Sequence, residues 1–520
     1  MTAKKFRLID VILSVICVVF VAEAAAPVAS IGNSQYFWWL LMIVSFLLPY
    51  GLISCELGTA YAGDGGLYDW IKTAYPDTRW AARASFYYWI NFPLWMASLA
   101  VMCPSLIATA LGIELGILPS LALQLAFIWT VTLIALYPVC DSKGILNVSA
   151  AIKILLALTL GGLGIYYVIN NGFVNPMTPA SFLPSFELHS LSYISVIIFN
   201  FLGFEVVCTY ADSMQNPRRQ IPVSIILGGI VIAAIYLFSA FGIGAAVPVG
   251  EISPDSGLID ALSAITGSTG GWFISIAAIL FLVTLFGNMI SWSMGVNSTA
   301  AYAADRGDMP ALFSRRRDKN DMPIGSALAS GVVATVVCLA GVAMEYLLPD
   351  SSLFWSFFAL NLVMLLLSYL PVFPAFLRLR KRDPETPRPF RVPGGKYLLP
   401  VIAYLPFIMI IAAILFTAVP FSLDAETLAY YLPITVGSLV AVLIGEILIA
   451  LRDDDAKTTP IESTPRAKGS GHPAHRNGPG HRVRRRGCAG DQQAQGSCGP
   501  PCRGPSGRYL GQRSAVCHGR

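Results

Sequence analysis

The sequence predicts an all-α membrane protein of about twelve transmembrane helices, on three observations. Of its 520 residues 55% are hydrophobic and only 12% charged, against roughly a quarter charged in soluble proteins. The apolar residues fall in blocks of about twenty or more, the length that ~30 Å of hydrocarbon demands of a helix. Lysine and arginine gather in alternate loops between those blocks. Soluble enzymes and nucleic-acid binders are excluded, because the charged surface they need is missing.

Twelve spans follow, at approximately 9–31, 36–61, 81–112, 118–139, 145–169, 188–213, 221–248, 270–304, 325–347, 351–377, 398–420 and 428–451. The start is basic (Lys4, Lys5, Arg7) and runs into a hydrophobic segment too long for a signal peptide, with no small-residue cleavage site, so span one is read as retained. Alternate loops then carry Lys72, Arg79 and Arg83; Lys143; Arg218 and Arg219; Arg306, Arg315 to Arg317 and Lys319; and a run from Arg378 to Lys396. The loops between them hold only acids, such as Glu187, Glu251, Asp255, Asp350 and Asp424. By the positive-inside rule both termini face the cytoplasm, and Trp38 and Trp39 fall at the outer interface. Six cysteines (Cys17, Cys55, Cys103, Cys140, Cys208, Cys338) are scattered through the spans and suit packing, not a disulfide framework. Residues 1–452 form the membrane domain. Residues 453–520, rich in Gly, Pro, Arg and Ser, cannot bury a core and are expected to be a disordered tail without function.

Charges and helix breakers inside the spans mark candidate chemistry, because a charge at depth is costly and irregular backbone is tolerated only where it lines a cavity. Span one reads Val21-Ala22-Glu23-Ala24-Ala25-Ala26-Pro27, an acid four residues before a proline among small residues. Span six reads Asn200-Phe201-Leu202-Gly203-Phe204-Glu205, an acid beside a glycine. An acid next to a breaker in both the first and the sixth span is what two five-helix halves give when each opens with a discontinuous helix. Lys153 lies too deep in span five to reach an interface. Glu56 in span two reads as a gate or a packing partner, and Asn288, Ser291, Trp292 and Asn361 are polar interruptions of spans eight and ten. The chain has no P-loop, no H-E-x-x-H and no G-x-S-x-G. No metal, cofactor or catalytic residue is expected.

Three stretches resemble a known family. Glu56-Leu57-Gly58 with Gly65-Gly66-Leu67-Tyr68-Asp69-Trp70, Gly203-Phe204-Glu205 with Asn216-Pro217-Arg218-Arg219-Gln220-Ile221-Pro222, and Asp305-Arg306-Gly307-Asp308-Met309-Pro310 with Pro323 beyond it resemble, in order, the motifs of the amino acid–polyamine–organocation superfamily. The nearest likeness is to its bacterial permease and glutamate/GABA-antiporter branches. The resemblance implies two inverted five-helix repeats plus two helices, with substrate held at mid-membrane between discontinuous helices one and six. It implies substrate contacts at Ala22, Glu23, Ala24, Ala25 and Ala26; at Phe199, Asn200, Leu202, Gly203 and Phe204; and at Trp292 and Asn361. Phe199 falls where relatives place an aromatic gate and Glu205 where they place a proton-responsive acid. Lys153 matches the helix-five lysine that replaces a sodium site in proton-coupled members. Glu23 departs from the pattern: many members have Gly-Ser-Gly there, bare backbone for a carboxylate.

The expected function is secondary transport of amino acids across the cytoplasmic membrane by alternating access, with a proton or an exchanged solute as partner and Glu205, Lys153, Glu23 and Glu56 as coupling or gating groups. The acid at Glu23 keeps a polyamine or amine exchanger open, and a non-transporting amino-acid receptor is the alternative of another class. Glu23 and Lys153 are expected to meet as a buried pair, or else Lys153 to bond the exposed carbonyls of helix one.

Overall fold

The computed structural model describes residues 5–21, 24–63, 65–253, 257–267, 271–347 and 353–451. The proposed tail, and within the membrane domain Ala22 and Glu23, lie outside the described residues. The described residues form helices and no strand. Among the described residues, eleven helical stretches are long and apolar enough to cross a membrane, from Ser34–Ala60 to Tyr430–Ala450. The twelfth predicted span is span one, whose first piece, Leu8–Val19, is too short to cross alone.

Spans one and six are discontinuous, as the acid-beside-breaker pattern predicts. Span one ends its first helix at Val19 and resumes as Ala25–Ala29. Pro27 therefore stands in the first turn of the second piece, where a missing N–H leaves no helical bond unmade. Span six runs through Ile194–Phe199, breaks, and continues as a 3-10 helix, Phe204–Ser213. The break turns on Gly203, whose φ of +107° suits only glycine. An added Cβ there would also stand 3.0 Å from Val18 and 3.2 Å from the Trp292 ring, so glycine lets the two breaks approach each other.

Two short helices, not anticipated from the sequence, cover the ends of the bundle. Leu67–Ala74 lies at the end that carries the lysine- and arginine-rich loops, called here the basic face. It joins two of the family-like motifs: Lys72 Nζ and the Tyr68 hydroxyl each lie 2.8 Å from an Asp308 carboxylate oxygen. Burial, with the Asp308 charge adding to it, holds the Tyr68 phenol well above its ordinary pKa, so it stays a donor. Gly257–Thr266 lies over the second piece of span one, where a Cβ on Gly257 would meet that of Ala26 at 2.9 Å. At the basic face the start of the chain is strapped to the end of span six, Phe6 N–H donating to Ser213 O at 2.8 Å and Gln215 N–H to Phe6 O at 3.3 Å.

Candidate functional site

Every helix that stops in a membrane leaves carbonyls that water cannot satisfy. At the break in span one these carbonyls are accounted for in turn. Ile16 O accepts from Phe20 N–H within the chain. Cys17 O accepts from Lys153 Nζ at 2.8 Å, and Phe20 O accepts from the same ammonium. Val18 O accepts from the Trp292 indole at 3.0 Å, and Val19 O from the Tyr236 hydroxyl at 3.2 Å. The Tyr236 oxygen in turn accepts from Val21 N–H at 2.8 Å. Spans five, seven and eight thus hold the unwound segment open, and a cation stands at the negative end of the first half-helix. Of the two arrangements foreseen for Lys153, the structure shows the bonds to helix-one carbonyls; the Glu23 side of the expected pair lies outside the described residues. Across the break, Asn200 Nδ2 reaches Ala24 O at 3.4 Å.

On the basic side of the break, Glu205 is fully buried and is held by three tyrosine hydroxyls. Tyr50 donates to Oε2 at 2.5 Å, Tyr88 donates to Oε1 at 2.7 Å, and Tyr369 donates to the same oxygen. The donors come from spans two, three and ten, so one carboxylate ties three helices to span six. No cation pairs with it among the described residues.

On the other side, Phe199 packs with Trp95 and Phe358, ring centres 5.3 Å away in each case, and those two rings lie 4.9 Å from each other. Trp95 stands seven residues, about two turns, beyond Tyr88 on span three. At 1.5 Å per residue the tyrosine floor and the aromatic roof are roughly 10 Å apart. Between these levels Asn361 lies one turn from Phe358, and Asn288 lies one turn from Trp292. Both amides are buried, and neither their oxygens nor their nitrogens have a hydrogen-bond partner among the described residues. The same holds for the Trp95 indole N–H and the Asn200 Oδ1. Unmet buried polar groups cost about 1–3 kcal/mol each, and a polar ligand held beside the two breaks would satisfy these four.

The structure thus gathers Ala24, Phe199, Asn200, Gly203, Glu205, Trp292 and Lys153 around the two breaks, with Asn361 between the levels. Ala25 and Ala26 are buried in the second piece of span one, Ala26 beneath Gly257. Leu202 is buried within the break of span six. Phe204 turns its ring between Tyr50, 5.8 Å away, and Gly229 of span seven. Glu56 stands apart, at the basic end of span two. Its Oε1 accepts from Arg380 Nε at 2.5 Å, its Oε2 from the Arg380 amino group and from Val392 N–H at 2.7 Å, and Arg388 Nε lies 3.1 Å away. The tyrosines, Trp95, Phe358 and Tyr236 were not singled out from the sequence. A buried phenol or indole normally requires a partner for its polar tip, so Tyr50, Tyr88 and Tyr369 inside apolar spans were the available signal.

The model of the family described as "Amino acid permease" matches residues 6–440. The chain belongs to that family. It is a secondary transporter of a small solute, not an enzyme. It is 61% identical over 446 residues, 86% of this chain and 95% of the relative, to the Lactococcus lactis protein named "Probable agmatine/putrescine antiporter". A glutamate/gamma-aminobutyrate antiporter of the same species is 22% identical over 431 residues, 80% of this permease and 84% of that relative. The putrescine transporter of Haemophilus influenzae is 24% identical over 324 residues, 61% of this permease and 71% of its own length. The superfamily resemblance read from the three motifs and the helical membrane fold are both borne out.

Proposed function

We propose that this permease exchanges short organic cations, an agmatine-like amine against a putrescine-like diamine, across the cytoplasmic membrane. The observation that carries the substrate class is the 61% identity to a relative named for that exchange, extending over 95% of its length. Three features of this chain agree with it. Glu205 is a buried carboxylate surrounded by neutral donors, with no cation opposite it among the described residues. Asn288 and Asn361 offer unpartnered carbonyl oxygens to an ammonium or guanidinium. Glu23, four residues before Pro27 in the sequence of span one, adds an acid that would repel a zwitterion's carboxylate.

In this reading the substrate lies between the aromatic roof and the tyrosine floor, bounded by Ala24, Asn200, Gly203, Trp292 and Asn361. Its cationic end faces Glu205, and Lys153 keeps the helix-one break in shape. Both levels are closed in this conformation. Phe199 moves aside to admit substrate from outside, and release inward requires Glu205 to exchange its tyrosines for the passing cation or a proton. The lysine and arginine asymmetry puts the basic face, with both termini, in the cytoplasm.

Counterflow into proteoliposomes tests the proposal. Labelled agmatine is expected to enter only when putrescine is inside, and excess unlabelled arginine, glutamate or GABA outside is expected not to compete. Uptake of an α-amino acid that neither amine inhibits overturns the amine reading. Binding of agmatine without counterflow overturns transport itself.

A further inference from the structure

At the basic face the end of span ten continues as the helix Val372–Arg382, and span eleven begins at Leu398. Between them and the end of the short helix Leu67–Ala74 is a cavity of about 560 Å³, lined by Tyr75, Arg378, Lys381, Arg382 and Tyr404 together with apolar neighbours. Its lining holds three cations and no acid. The cations are set in place: the Arg378 guanidinium lies over the Tyr75 ring, 4.6 Å from its centre, and Arg382 Nη1 donates to Thr73 O at 3.2 Å. Lys381 is exposed and has no ion-pair partner among the described residues. Arg378 and Arg382, four residues apart, share one face of their helix. Arg380, between them, turns the other way to Glu56.

A second cavity, about 290 Å³, adjoins the first, sharing Tyr75 and Pro374 and continuing along Trp80, Leu370 and Phe407. Leu370 precedes Arg378 by two turns on span ten, and Phe407 follows Tyr404 by one turn on span eleven. The second cavity therefore leads from the helix ends toward the hydrocarbon. Trp80 (48% exposed) and Tyr404 (46% exposed) mark the rim, at the interfacial depth that amphipathic rings favour.

We infer that these two cavities form one binding site for an anionic phospholipid, with the phosphodiester among Arg378, Lys381 and Arg382 and an acyl chain along Trp80, Leu370 and Phe407. The cations alone would suit any phosphate. The apolar continuation selects a lipid, and three cations without an acid select an anionic headgroup over a zwitterionic one. Basic pockets between helix ends take anionic headgroups in this way.

The test is native mass spectrometry of the purified transporter after exchange into equal amounts of phosphatidylglycerol and phosphatidylcholine. It requires no knowledge of the transported substrate or of sidedness. Wild type is expected to retain phosphatidylglycerol in preference, and R378Q/K381Q to lose that preference by on the order of tenfold. Lys381→Glu changes only one exposed side chain, so it folds normally, and it is expected to shift retention in the same direction. Equal retention of the two lipids by wild type, or an unchanged preference in both variants, overturns the site. Displacement of the bound lipid by an equal concentration of glycerol phosphate assigns the cavity to a soluble anion and overturns the lipid.

Discussion

Glu205 and Glu56 are both buried glutamates of the same bundle, and they are held in opposite ways. Glu205 meets three neutral hydroxyls. Glu56 meets two guanidiniums and a backbone amide. The hydroxyls satisfy lone pairs without cancelling charge, so Glu205 keeps an unspent attraction for a cation. The guanidiniums cancel the charge of Glu56, and the carboxylate becomes a clasp between span two and the loop after span ten. A buried acid is therefore read by the charge of its partners rather than by its depth.

The largest expected effect is on the clasp. Glu56→Ala leaves Arg380 and Arg388, 11% and 7% exposed, without a counter-charge. Breaking such a pair costs about 3–5 kcal/mol, so the melting temperature in detergent should fall sharply. An unchanged melting temperature removes the contrast between the two acids. Next is Lys153→Met, which strips its donor from Cys17 O and Phe20 O at about 1–3 kcal/mol for each carbonyl. Combining it with Glu23→Gln sharpens the result: recovery of stability in the double variant means the two charges also meet, and simple addition means the carbonyls are the only partners that matter.

Tyr50→Phe, Tyr88→Phe and Tyr369→Phe report the charge state of the floor. Each should cost about 1.5–3 kcal/mol if Glu205 is ionised and about 0.5–1.5 kcal/mol if it is neutral. The companion variant Glu205→Gln, which removes the charge and keeps the shape, should weaken agmatine exchange. Exchange at the wild-type rate makes Glu205 a structural tie like Glu56. Asn361→Leu removes an amide that has no hydrogen-bond partner to lose among the described residues, so the melting point should hold or rise. The apparent KM for amine should rise about tenfold, a loss of ~1.4 kcal/mol of binding; an unchanged KM removes Asn361 from the site. The smallest effect expected is from truncation after Lys457, with expression and exchange both unchanged. A large loss of exchange at equal expression would show that the tail has a role.

The two acids were both visible in the sequence, since a charge inside an apolar run is conspicuous there, and so were both breaks. What separated the acids was not visible. Arg380 and Arg388 lie more than 300 positions from Glu56, in a loop whose basic residues served the sequence only as a topology signal. Tyr50, Tyr88 and Tyr369 are unremarkable in composition, because a phenol is counted with the aromatics until its hydroxyl is seen to point at a carboxylate. Pro27 was read as the breaker of span one, yet it sits in the first turn of the following piece. Proline is simply tolerated there, and the unwinding just before it is upheld by Lys153, Trp292 and Tyr236.

By itself the sequence determined the membrane class, the span limits to within a few residues, the discontinuity of spans one and six and the family. Those properties are legible from local composition: the bilayer demands a fixed length of apolar helix, and a glycine, proline or charge inside that length stands out in the sequence. Tertiary structure decided which buried charge is compensated, which amides stay unpartnered among the described residues, and that the arginines at the end of span ten line a cavity on one face while clasping Glu56 on the other. Each of these depends on side chains from distant spans meeting within about 3 Å, and no local rule of composition or periodicity encodes that meeting.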